Sequence, residues 1–307
     1  MPCFRPAKYR EAAILIVICI LSLSPISVLS GCSSNEGEQE SAVTENPDQK
    51  PTVKIVYVDW ASETASSNVV KAVIEDKLNM NCKLLPVSLI AMWESIAAGD
   101  QDAMVSAWLP SLQARFLEKF KNRVDNLGPN LRGTKIGLVV PQYVSIDSIA
   151  ELQAHPEKFD NKIIGIDPHA GIMEKTAAAS KEYNLGKYQL ISGSGPTMTQ
   201  TLKRAMTEGN WIVVTGWTPH WKFARWDLKY LQDPKNVFGK DEYIGTIVRK
   251  GLSNDMPDVY RFLDNFHWSP DDMAQVMLWA QDQDTTYLEA ARRWVKNNQD
   301  SVKVWLR

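Results

Sequence analysis

The stretch Val53-Lys54-Ile55-Val56-Tyr57-Val58-Asp59-Trp60 decides the fold. Val53 to Val58 is rich in β-branched and apolar residues and reads as a strand. The polar run Ser62 to Ser67 reads as a turn. Asn68 to Leu78 then has apolar residues at helical spacing (Val69, Val70, Val73, Ile74 and Leu78). Cys82 to Val87 is a second strand. Met92 to Ala98 is a helix that stops at Gly99, and Asp102 to Ala107 is a third strand. Strands alternating with helices predict an α/β fold with largely parallel sheets.

The alternation continues downstream. Ile136 to Val140, Lys162 to Ile166, Gln189 to Ile191, Trp211 to Thr215 and Gly245 to Val248 read as strands. Ile172 to Tyr183 reads as a helix. So does Pro196 to Thr207, with proline in its first turn and Gly209 as its stop. Beyond Val248 the chain is mainly helical to Arg307. There is an internal echo. In each half a glycine closes a helix, a strand follows, and the strand ends in a tryptophan motif: Ala107-Trp108-Leu109-Pro110 and Gly216-Trp217-Thr218-Pro219. Two lobes of similar plan would account for it.

The N-terminus has different chemistry. Arg5, Lys8 and Arg10 precede an apolar run from Ala12 to about Leu23, which is short for a membrane span. Leu29-Ser30-Gly31-Cys32 follows and looks like a bacterial lipobox. Residues 1–31 are therefore expected to be a lipoprotein signal peptide, and Cys32 the lipidated first residue of the mature chain. Several acyl chains there would hold the chain stably on a membrane. Residues 32–51 are acidic and lack periodicity, which predicts a flexible tether.

The rest of the chain has ordinary globular composition. The sequence has 4 Cys and a formal net charge of -2. Cys3 and Cys19 fall in the leader and Cys32 is expected to be modified. Cys82 is left alone as a core residue, with no disulfide. The charge balance gives no reason to expect nucleic-acid binding. The 4 histidines, His155, His169, His220 and His267, show no metal-ligand spacing, and no Gly-x-Ser-x-Gly turn occurs. No cofactor, metal or catalytic residue is expected, and the chain reads as a binding protein and not an enzyme.

The 11 tryptophans are the unusual feature. Trp279, Trp294 and Trp305 lie on helical segments and are expected to pack. Trp60, Trp108 and Trp217 each stand at a strand end. Ligands of open α/β sheets bind beyond such ends. One tryptophan there serves packing as readily as binding, but three in equivalent positions favour a ligand. Indole faces around one point attract a cation by about 0.5–2 kcal/mol each. They ask for no hydrogen bond in return, which suits a quaternary ammonium. The turn Ile164-Gly165-Ile166-Asp167-Pro168 reads as entering a helix, and backbone N–H groups at a helix start favour an anion. Cage and amides together would hold a compact zwitterion.

Val58-Asp59-Trp60-Ala61-Ser62-Glu63, Ser106-Ala107-Trp108-Leu109-Pro110, Ile164-Gly165-Ile166-Asp167-Pro168 and Thr215-Gly216-Trp217-Thr218-Pro219-His220-Trp221 together resemble the glycine betaine-binding lipoproteins of osmoprotectant ABC importers. The resemblance runs from about residue 52 to the C-terminus. It implies a two-lobed type II periplasmic-binding fold, with 52–139 plus 246–307 as one lobe and 140–245 as the other. Each lobe would be a mostly parallel sheet flanked by helices. It further implies that Trp60, Trp108 and Trp217 cage the ammonium and that the amides of Gly165 and Ile166 bind the carboxylate. The partners implied are an ABC permease with its ATPase, the protein itself being a monomer. Related proteins place a carboxylate-binding histidine where this chain has Gln113. A neutral amide binds a carboxylate less strongly than a charged donor does. That opens the site to other betaines, such as proline betaine, carnitine or dimethylsulfoniopropionate. The rival reading keeps the scaffold but gives it choline or an amino acid such as proline, with Asp59 or Glu63 meeting an ammonium.

Overall fold

The computed structural model describes residues 50–240 and 242–307. The leader, Cys32 and nearly all of the expected tether lie outside the described residues. The elements run β1 (Thr52–Tyr57), α1 (Ala61–Asp76), β2 (Asn81–Pro86), α2 (Leu89–Ala98), β3 (Ala103–Leu109), α3 (Ala114–Phe120) and β4 (Val124–Pro141). Two short 3-10 turns lead to β5 (Lys162–Ile164), α4 (Gly171–Glu182), β6 (Gln189–Ile191), α5 (Gly195–Glu208), β7 (Val214–Thr218), α6 (Lys222–Arg225), β8 (Leu228–Tyr230) and β9 (Glu242–Arg249). Five helices finish the chain: α7 (Leu252–Asp255), α8 (Pro257–Asn265), α9 (Pro270–Trp279), α10 (Tyr287–Asn297) and α11 (Gln299–Trp305).

The strands are ordered β2-β1-β3-β9-β4-β7-β5-β6, with β8 on the side of β4. The α/β class predicted from the alternation holds. Its parallel part is the pairing of β1 with β2 and β3, and of β5 with β6 and β7. The middle of the sheet is antiparallel, through β3 with β9, β9 with β4, and β4 with β7. β4 is the element that joins the halves. Its residues Val124 to Thr134 pair with β9, and Lys135 to Pro141 pair with β7 and β8. The pairing therefore changes hands at Thr134 and Lys135. The expected divisions at 139/140 and 245/246 fall inside β4 and β9.

Three local expectations are corrected. Ser62 to Ser67 is helical and not a turn: α1 begins at Ala61, and Ser62, Thr64, Ser66 and Ser67 are buried. The helix absorbs its polar side chains by turning them back on its own carbonyls, Thr64 Oγ1 to Trp60 O at 3.0 Å and Ser66 Oγ to Ser62 O at 3.1 Å. The strand expected at Trp211 to Thr215 is displaced to Val214–Thr218, because pairing with Lys135 to Val139 of β4 sets its register. Gly165 and Ile166 do not open a helix, since α4 starts only at Gly171.

The helix stops were legible. Gly99 and Gly209 both take the left-handed conformation, at φ 84 and 70. The C-terminal helices bury an aromatic cluster. Trp294 stacks on Trp305 at 5.4 Å between ring centroids, and Trp305 meets the edge of Phe266 at 5.0 Å. This cluster, with Trp268 and Phe262, accounts for several of the tryptophans as packing. Cys82 is buried, and burial pushes its thiol up to about 12.

Candidate functional site

Trp60 caps α1 in extended conformation, its N–H donating to Val58 O at 2.7 Å. Trp108 lies near the end of β3, opposite Ile244 of β9. The Glu242 carboxylate accepts from the Ser111 and Leu112 amides (3.1 and 3.3 Å), holding the turn that follows Trp108. Trp217 lies on β7 opposite Ile136 of β4. Its indole Nε1 donates to Ser62 Oγ at 3.2 Å, a bond from β7 to the first turn of α1. All three tryptophans are buried.

The structure brings the three rings to one small cavity. Leu112, Gln113, Ile136, Ile166, Ser62 and the segment Ala170-Gly171-Ile172 complete the wall. No side chain in this wall carries a formal charge. Asp59 lies outside this wall, its carboxylate sharing the Thr64 hydroxyl proton with Trp60 O. Glu63 accepts from the Val58 amide at 3.0 Å. Burial raises its carboxyl to about 8, against the pull of that amide. Neither acid lines the cavity.

The expected carboxylate donors divide. Ile166 is in the wall, and its amide faces only the Met173 Sδ at 3.3 Å, a weak acceptor. Gly165 is a correction: its amide donates to Ile191 O at 2.8 Å, so the sheet between β5 and β6 has already engaged it. A Cβ at Gly165 would meet the flexible end of the Met173 side chain and lie 3.1 Å from Ile191 O. Gln113 is 1 % exposed and lies in the wall.

The cavity closes between α3 and α4. A Cβ on Gly171 would stand 2.8 Å from both Cβ and O of Leu112, so only glycine permits this approach. Arg115 and Glu174 form an ion pair across the same seam at 2.6 Å.

Sequence reasoning missed Ser62, Leu112, Ile136 and Ala170 to Ile172. The absence of Gly and Pro from Ser62 to Ser67 was a usable signal for helix. It also missed Lys222, which is fully buried behind Trp217, with Nζ 4.8 Å from the ring centroid and 3.3 Å from Thr215 O. No carboxylate pairs with it among the described residues, and burial lowers its pKa to about 7. His220 is buried beside Trp217. Its Nδ1 accepts from the Lys222 amide at 3.1 Å, and burial with the nearby Lys222 holds its pKa well below the usual value.

A sheet of this order with an uncharged aromatic cavity in its seam defines a solute-binding protein. The chain belongs to the family described as the substrate-binding domain of ABC-type glycine betaine transport systems, which matches residues 51–297. Proteins of this family are extracytoplasmic binding subunits of ABC importers, not enzymes. The glycine betaine/carnitine transport binding protein GbuC of Listeria monocytogenes is 51% identical over 151 residues, which is 48% of this chain and 50% of that protein. The matched stretch thus spans about half the length of that relative. The crystal structure of lactococcal OpuAC, closed on glycine betaine, is similar at TM-score 0.79 and 41% identity, covering 84% of this chain and 100% of that one. A glycine betaine/L-proline-binding protein (ProX) from Borrelia burgdorferi is similar at TM-score 0.79 and 38% identity, covering 83% and 97%. The neighbours have the type II periplasmic-binding fold. Among the described residues no helix is long and apolar enough to cross a membrane.

Proposed function

We propose that this chain captures glycine betaine or a related quaternary-ammonium or sulfonium zwitterion, in a cage of Trp60, Trp108 and Trp217, for uptake by an ABC permease and its ATPase. The observation that carries the reading is the convergence of three indoles on a cavity whose wall has no formal charge. A primary or secondary ammonium brings N–H donors that need acceptors, and a wall of ring faces leaves them unpaired. A permanently alkylated cation brings none and gains from each ring. With Asp59 and Glu63 both outside the cavity wall, an amino acid such as proline has no carboxylate there to meet its ammonium. The carboxylate of the ligand is assigned to the Ile166 amide and to Gln113.

In this reading 52–139 with 246–307 and 140–245 are lobes that close on the ligand, Cys32 carries the lipid anchor, and the protein acts as a monomer. Glycine betaine is the first candidate because it is the most compact of these zwitterions, and the names of the relatives agree with it. The test is calorimetric titration of the purified protein with glycine betaine, proline betaine, carnitine, dimethylsulfoniopropionate, choline and proline. Saturable binding of betaines with weak choline and proline is expected. A response confined to choline or proline would overturn the ligand assignment.

A further inference from the structure

Trp93 lies on α2, fully buried, outside the cavity. Its ring stacks on Phe116 at 6.1 Å and on Phe120 at 6.5 Å. Its indole Nε1 is 2.9 Å from Gln113 Oε1. An indole N–H is a donor and nothing else, so the atom facing it must be an acceptor. The two ends of a carboxamide have nearly the same shape, and here chemistry decides which is which. The oxygen of Gln113 is held in the wall by Trp93. The nitrogen, with its two N–H donors, is the end left for the cavity. Among the described residues that nitrogen has no acceptor.

We infer that Trp93 is a positioning residue that fixes the polarity of Gln113, making the cavity wall at that point a donor and selecting ligands that carry a carboxylate. The inference rests on the betaine reading of the cavity and deepens it. Were the amide free to turn over, its oxygen would face a ligand carboxylate and repel it. A hydroxyl, which both donates and accepts, would tolerate either orientation. The selection is therefore between carboxylate and alcohol at the far end of the same cation, as in glycine betaine against choline.

The test is Trp93→Phe, which keeps an aromatic ring beside Phe116 and Phe120 and removes the donor together with part of the ring volume. Glycine betaine affinity is expected to fall about tenfold, the loss typical of a buried hydrogen bond to a charged group. Choline affinity should change less than twofold, so the affinity ratio moves. An unchanged ratio, whether both affinities fall or neither does, would reduce Trp93 to packing and overturn the inference. A second measurement needs no ligand. In Gln113→Leu the proton resonance of the Trp93 indole N–H should shift upfield relative to wild type as its acceptor is lost. No shift would mean the contact is absent, and the inference falls whatever the titrations give. If wild-type protein binds neither ligand while the resonance moves, the contact stands but the betaine reading fails, and the selectivity fails with it.

Discussion

Trp217 is used on both faces of its ring. One side belongs to the cavity, and Lys222 Nζ lies 4.8 Å from the ring centroid without lining the cavity. Trp217→Ala should weaken betaine binding at least tenfold, since it removes a ring face and the indole bond to Ser62. Trp305→Ala, in the C-terminal cluster, should leave affinity nearly intact while costing about 3–5 kcal/mol of stability. Titration and urea unfolding of the two variants separate these roles, and equal affinity losses would remove Trp217 from the cage. Lys222 predicts a pH dependence. Its pKa is lowered from 10.5 to about 7, so between those values the unfolded chain binds the extra proton and stability rises with pH. Glu63 acts in the opposite sense over a lower window. Its pKa is raised from 4.5 to about 8, so its contribution is present below 4.5 and lost as pH rises through 8. Above about pH 8 only the Lys222 limb remains of the two. Lys222→Met should flatten the gain in stability between about pH 8 and pH 9.5, measured by urea unfolding, and should stabilise the protein at and below pH 7. A wild-type profile retained in the variant would mean that Lys222 is not the group responsible.

At the scale of elements, the seam between α3 and α4 is the part most exposed to a single change. Gly171→Ala places a methyl group against the backbone of Leu112, where neither side is a flexible chain end. Ligand affinity should fall about tenfold, and the crowding should cost about 1–3 kcal/mol of stability. Undiminished affinity would show that the bound form does not require this approach. The elements also show what the sequence made readable. Strands β1, β2, β3, β5 and β6 and helices α2, α4 and α5 announce themselves by periodicity and by glycine stops, since each pattern is local. The start of α1 does not, because buried serines and threonines look like a turn until their carbonyl partners are known. The full length of β4 was hidden for a related reason. Gly128, Pro129 and Gly133 read as breaks, yet the strand passes them through shifts of register against β9. That Trp60, Trp108 and Trp217 share one cavity was legible from their place at strand ends. Trp93 was not, because its role depends on a side chain twenty residues away.

At the scale of the molecule, β4 and β9 carry the connection between the halves. They are adjacent and antiparallel, and β4 continues from one set of partners to the other. Hinge closure of the lobes, if the cavity fills and empties as proposed, bends this pair rather than a loose linker. That the sheet has an antiparallel middle was not visible from alternation. Strand direction there is set by contacts between residues far apart in sequence, Ala103 with Val248 and Val124 with Arg249.

The insertion of β9 between β3 and β4 also governs how the chain tolerates being cut short. A fragment ending before Glu242 retains both neighbours but not the strand that joins them. It therefore carries two unpaired edges, one of them the fully buried β3 with the sequence Ala-Met-Val-Ser-Ala-Trp-Leu. Bare apolar edges of that kind recruit one another. Translational stops or proteolytic clips upstream of β9 thus yield aggregation-prone remnants and not a half-sized binding protein, which makes the stretch from Glu242 onward a checkpoint for solubility.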